Sequence, residues 1–190
     1  MSAEAVHGEA PSEATAYSLP ARVAHWTVAV LIVAVFLIGL AMMRVPEGSL
    51  QDQLFDWHRS IGATVWTLAA ARLLWRLWHA PPPFPPGVPA WMRAAARASH
   101  GLLYVLMLGL PILGWIGSSA YGAPVHIYHL FDLPPLVRPS RPLSNIVFWF
   151  HIWGAYALAG LVVLHVGAAL YHLLLRRDGV FQRMTGDKWA

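Results

Sequence analysis

The chain has 190 residues, 57% of them hydrophobic and only 12% charged, about half the charged share of an average soluble domain. With a mean hydropathy of +0.51 this excludes a soluble globular enzyme, and it excludes disorder too, because so much apolar surface cannot stay solvated. The absence of cysteine removes disulfides, iron–sulfur clusters, zinc–thiolate sites and covalently attached haem, while ten histidines against nine carboxylates call for an explanation in a chain this apolar.

Residues 1–18 are small and acidic, with Glu4, Glu9 and Glu13, and are expected to form a disordered cytoplasmic tail. No basic segment precedes the first apolar stretch and no small-residue cleavage motif follows it, so that stretch is read as an uncleaved span and not as a signal peptide. Four stretches then meet the requirement of about 20 apolar residues for a spanning helix: 22–43, 57–78, 99–116 and 146–175. The fourth is long enough to leave the bilayer and continue as helix among the headgroups. Pro111 should kink the third, with neighbouring helices satisfying the freed carbonyl.

The connectors are unequal. Residues 79–91 hold Pro81, Pro82, Pro83, Pro85 and Pro86, a stiff extended link. Residues 117–144 form a long outer loop with His126, His129, Pro134 and Pro135, and loops of that length usually act on something or cover something. Trp26, Trp57, Trp78, Trp91 and Trp149 lie near span ends, as interfacial belts require.

Counting Lys and Arg orients the chain. With the N-terminus inside, Arg22, Arg72, Arg76, Arg93, Arg97, Arg176, Arg177, Arg183 and Lys188 lie on the inner side, against Arg44, Arg59, Arg138 and Arg141 outside. The expected fold is therefore all-α, a transmembrane four-helix bundle over residues 19–184 with both termini cytoplasmic and a short second tail at 185–190. The net charge of +4 and pI of 9.9 follow from this topology. No basic stripe with interleaved aromatics suggests nucleic acid.

The histidines sort by depth. His151 and His165 are 14 residues apart, so they differ by about 40° around the helix and about 21 Å along it. His25 opens the first span level with His165, and His58 opens the second level with His151. Each of two layers thus holds two imidazoles from different helices, which suits two stacked b-type haems with bis-histidine ligation. The plain alternative, polar residues buried and hydrogen-bonded between helices, explains a single intramembrane histidine better than four that pair by depth. A single metal cluster is excluded by the separation of about 21 Å, and a proton pump by the lack of carboxylates within the spans.

His172 competes with His165 for the inner layer but falls about 10 Å beyond it. His100, at the inner start of the third span, is read as a contact to a haem propionate, a donor to quinone or an interfacial residue. His126 and His129 are read as an exposed loop pair, and His79 and His7 as solvated. Arg22, Arg72, Arg76 and Arg176 surround the inner layer and Arg59 adjoins His58, as counter-ions for propionates would. Gly39, Gly109, Gly114, Gly154, Gly160 and Gly167 allow close approach of helices or of a flat macrocycle.

In these features the sequence resembles the bacterial cytochrome b561 family, four-helix di-haem membrane proteins. The matching pieces are Arg22 to Trp26 around His25, Trp57 to Gly62 around His58, Arg72 to Arg76, Ser99 to Tyr104, Ser118 to Gly122, His151, and the tail from His165 through His172 to Val180. The resemblance covers residues 19–184. It implies haem ligation by His25, His58, His151 and His165, electron exchange with the quinone pool and, in some relatives, oxidation of superoxide at the outer side. Four outer arginines against four outer carboxylates (Glu47, Asp52, Asp56 and Asp132) offer no net positive field to steer an anionic radical.

The reading that results is a multi-pass cytochrome of the bacterial inner membrane, in contact with lipid, acting alone or as a homodimer. It moves electrons between an unidentified outer donor and ubiquinone. The alternative is a membrane-anchor cytochrome b subunit that docks a soluble dehydrogenase or hydrogenase and passes its electrons to quinone.

Overall fold

The computed structural model describes residues 16–186. Of the expected tails at 1–18 and 185–190, residues 1–15 and 187–190 lie outside these. Four long helices dominate: α1 (Leu19–Met42), α2 (Ser49–Trp78), α3 (Ala90–Tyr121) and α4 (Arg141–Tyr171). A π-helical turn (His172–Arg176) and a short α5 (Gln182–Thr185) follow α4, and a hairpin of β1 (Val125–Ile127) and β2 (Phe131–Leu133) interrupts the α3–α4 connection.

Local chemistry sets the helix ends. Pro20 and Pro142 sit in the first turns of α1 and α4, where a missing N–H costs nothing. Gly122 ends α3 in the left-handed conformation at φ 87°, its N–H donating to the Ser118 and Ser119 carbonyls. Helix α3 runs on through Pro111. Its neighbour α4 begins at Arg141 and α2 at Ser49, so these helices extend about one to two turns beyond the apolar stretches that announce them.

Three of the helices, Leu19–Met42, Ala90–Tyr121 and Arg141–Arg176, are long and apolar enough to cross a membrane. At 30 residues α2 matches them in length, but it carries Asp52, Asp56, Arg59, Arg72 and Arg76. Val30, Leu37, Val105, Val163 and Leu164 stand exposed on the outer surface of the bundle. Aliphatic side chains left outside at mid-helix suit a lipid solvent, not water.

Helices α1 and α2 pack together, as do α3 and α4, and α2 joins the pairs by packing on α3. Helices α1 and α4 meet through side chains, among them Phe36 and Tyr156 with ring centres 6.1 Å apart. The buried core consists of Val28, Ile32, Val65, Ala69, Leu103 and Met107, backed by Leu158, Leu161 and Val162. On every helix these residues fall between the two histidine levels, so an apolar plug separates the layers.

Candidate functional site

The four helix-borne histidines that sequence position pairs by depth meet in space. His58 of α2 and His151 of α4 have ring centres 6.0 Å apart, and His25 of α1 and His165 of α4 have theirs 6.1 Å apart. Neither pair is close enough for a direct hydrogen bond to explain it. Two metal–imidazole bonds of about 2 Å, plus the half-width of each ring, span about 6 Å. The spacing in both layers therefore fits a metal centre gripped from its two faces.

The outer rings are held by a repeated device. His58 Nδ1 donates to the Val35 carbonyl at 3.0 Å, and His151 Nδ1 to the Leu110 carbonyl at 2.9 Å. With Nδ1 so engaged, Nε2 is the nitrogen left for a metal, and the backbone acceptor fixes tautomer and ring orientation. Four residues past each accepting carbonyl stands a glycine turned to the ring. A Cβ on Gly39 would lie 3.0 Å from His58 Cε1, and one on Gly114 would lie 3.3 Å from His151 Cε1. The glycines were legible in the sequence, but which of them face an imidazole was not. At Gly109, Gly160 and Gly167 a Cβ would meet nothing within 4 Å.

The inner layer is built differently. His25 Nδ1 is buried and has no hydrogen-bond partner among the described residues. A third imidazole joins this layer, His100, whose ring centre lies 5.4 Å from that of His165. Beside them is a cavity of about 450 Å³ lined by Tyr17, Arg72, Trp75, Arg76, Tyr104 and the Pro81–Pro83 run. Of the expected counter-ions, Arg72 and Arg76 face this cavity. Arg22 donates to the Thr185 carbonyl at 2.8 Å. Arg59 is taken up by the protein itself, 3.3 Å from Asp56 and over the Phe55 ring. Arg176 pairs with Asp178 at 2.9 Å and reaches the Gly87 carbonyl.

The remaining histidines have other neighbours. His172 donates to Asp178 at 2.7 Å, in the π-helical turn beyond α4. His79 stacks on Trp75 with ring centres 3.9 Å apart. His126 contacts Asp132 across the hairpin at 2.5 Å. The outer loop thus covers part of the bundle: Ser60 of α2, 1% exposed, accepts from the Tyr128 N–H and donates to the His126 carbonyl. Tyr128 also meets Thr64 at 2.7 Å and the Trp57 ring edge-on. A two-stranded cover seated on the turn after His58 has no signal in the sequence beyond the length of the loop.

Paired imidazoles at two levels of a bundle of long, lipid-compatible helices define a helical membrane protein of the cofactor-holding class. The chain belongs to the prokaryotic cytochrome b561 family, whose profile matches residues 16–187. It is similar to cytochrome b561 homolog 2 of Escherichia coli, 31% identical over 90% of this chain and 91% of the relative. Cytochrome b561 homolog 1 of the same organism is 31% identical over 84% of this chain and 91% of the relative. A Yersinia pestis protein named as the probable superoxide oxidase CybB is 24% identical over 86% of this chain and 92% of the relative. The family establishes a bacterial haem b-binding membrane protein of electron transfer.

Proposed function

We propose that the chain is a four-span, di-haem cytochrome that carries electrons across the bacterial inner membrane between an outer donor and ubiquinone, both termini being cytoplasmic. The observation that carries this reading is the equal spacing of the two imidazole pairs, 6.0 and 6.1 Å, on either side of one apolar core. In this reading His58 and His151 hold the outer haem b, and His25 and His165 the inner one. When bound, the haems would supply one-electron redox chemistry.

The chain's own residues do the rest. The Val35 and Leu110 carbonyls orient the outer imidazoles, and Gly39 and Gly114 make room for them. Val28, Ile32, Val65, Leu103 and Met107 exclude water between the layers, which lowers the dielectric around both. Arg72, Arg76 and Tyr104 present donors at the inner cavity, whose volume of about 450 Å³ suits the headgroup of a quinone. On the outer side Arg59 is already paired with Asp56, so the proposed donor is one that needs no net positive field to reach the protein.

The test is haem content and reduced-minus-oxidised absorption of the detergent-purified chain, with His151→Ala and His165→Ala beside it. Two b haems per chain are expected, one lost or converted to high spin in each variant. A folded wild-type chain that binds no haem would overturn the reading and leave the four histidines structural.

A further inference from the structure

Four buried side-chain polar atoms lack a hydrogen-bond partner among the described residues: Arg22 Nε, His25 Nδ1, Gln182 Oε1 and Arg183 Nε. Three of them, Arg22 Nε, Gln182 Oε1 and Arg183 Nε, belong to the two segments that meet where the C-terminal segment folds back on the start of α1, and His25 follows Arg22 by three residues on that helix. Arg22 donates to the Thr185 carbonyl, Trp26 Nε1 to the Met184 carbonyl at 3.1 Å, and the Tyr17 N–H to the Arg183 carbonyl at 3.1 Å. Arg183 in turn reaches the Pro83 carbonyl. Gly186, at φ +82°, admits the Arg22 guanidinium where any Cβ would collide with it.

Arg183 is only 9% exposed, and among the described residues neither it nor Arg22 makes an ion pair. A guanidinium withdrawn from water without a counter-charge is strongly disfavoured. The same end of the bundle holds Arg72, Arg76, Arg93, Arg97, Arg176 and Arg177 as well. Its one described carboxylate, Asp178, is already engaged by Arg176 and His172. Gln182 completes the pattern: its amide, turned over, aims an NH2 donor where an acceptor now stands unpaired. Two cationic forks and an amide with spare hydrogen-bonding capacity form a receptor for an oxyanion that the described chain does not supply.

We infer that α5 is an anion clasp, in which Arg183 and Gln182, with Arg22, bind a carboxylate of the haem held at His25. This rests on the di-haem reading. A haem propionate is favoured over a lipid phosphate because Arg22 lies three residues before His25 on one helix face, and His25 Nδ1 is likewise buried without a partner among the described residues. The C-terminal segment then acts as a positioning element, tying the inner haem to the start of α1 and to the proline-rich connector.

The experiment is a potentiometric titration of the full-length holoprotein carrying Arg183→Gln, Arg183→Lys or the exposed-charge control Arg177→Gln. Removing a cation beside a haem favours its oxidised form. Arg183→Gln is therefore expected to lower the midpoint of one haem, the one that His165→Ala removes. A tenfold change in its oxidised-to-reduced ratio is expected, about 59 mV for one electron. Arg183→Lys should recover most of the shift, and Arg177→Gln should leave both midpoints in place. If Arg183→Gln does not fold, Gln182→Ala and Gly186→Ala provide the same readout through the amide and through Arg22. Unchanged midpoints, or equal shifts in both haems, overturn the clasp while two bound haems preserve the wider reading. Loss of tightly bound phospholipid phosphate with unchanged midpoints assigns the anion to a headgroup and overturns the clasp as well. A wild-type chain without haem overturns both.

Discussion

Gly39 lies so close beneath the imidazole of His58 that a single added carbon would stand 3.0 Å from its Cε1 and 3.2 Å from its Nδ1. Gly114 stands in the same relation to His151 with more room, at 3.3 and 3.5 Å. Because each ring is also tied to a carbonyl four residues earlier, it cannot swing away without breaking that bond. Gly39→Ala should therefore disturb the outer site more than Gly114→Ala, and Gly39→Val more than either. The expected outcome is a graded loss of one haem per chain, falling by half or more of that site's occupancy in Gly39→Val. Haem content and the low-spin absorption of the purified variants read it directly. Equal, full occupancy in all three would show that the glycines are incidental.

At the inner level His165 has two imidazole neighbours, and His100 is the nearer, at 5.4 Å against 6.1 Å for His25. Only the His25 spacing repeats that of the outer pair. His25→Ala is accordingly expected to cost the inner haem, whereas His100→Ala should retain two haems and change the rate of quinone reduction. The reverse pattern of haem loss would exchange the two assignments.

Asp178 closes the end of α4 by accepting hydrogen bonds from Arg176 and His172. Its partial burial pushes the carboxyl pKa up, but the bonds from Arg176, His172 and the Val180 N–H prevail and hold it below the ordinary 3.8. A carboxyl depressed in the folded state contributes stability above its unfolded pKa and loses it as pH falls through the folded value. Asp178→Asn should thus cost about 1 kcal/mol at neutral pH, a modest figure because the cluster is partly solvated. Thermal unfolding in detergent should show the gap between wild type and variant narrowing below pH 3.8. A gap that is constant through that range would assign the effect to shape rather than charge.

The hairpin turns through Tyr128 and His129 at φ 51° and 56°, with the Leu130 N–H closing on the Ile127 carbonyl at 2.9 Å. Two left-handed residues in succession are what a glycine-containing turn ordinarily provides. Each non-glycine residue there costs about 1 kcal/mol. His129 is 73% exposed in its side chain and its ion pair with Asp56, at 3.9 Å, is long, so little packing is lost on its removal. His129→Gly is expected to raise the unfolding midpoint by about 2–4 °C. A lowered midpoint would mean that the His129 contact to Asp56 matters more than the turn.

The depth of each histidine was legible in the sequence because a helix of constant rise in a layer of constant thickness converts residue number into height. That is why His25 with His165, and His58 with His151, read as level pairs from residue number alone, and why His172 falls outside the inner layer. The apolar composition likewise settled the solvent of the outer surface, since Val30, Val105 and Val163 have no soluble core large enough to hide in. Facing is another matter. Whether His25 or His100 lies opposite His165 at the spacing of the outer pair depends on helix rotation and lateral packing. Those depend on side-chain volumes such as Gly39, Gly114 and Ala69 acting across helices. The same holds for the hairpin seated on Ser60 and for the return of Arg183 to the start of α1. These contacts join residues from 66 positions apart, Ser60 with His126, to 166, Tyr17 with Arg183, and no local periodicity encodes them; only the closed tertiary structure brings their hydrogen-bonding groups together.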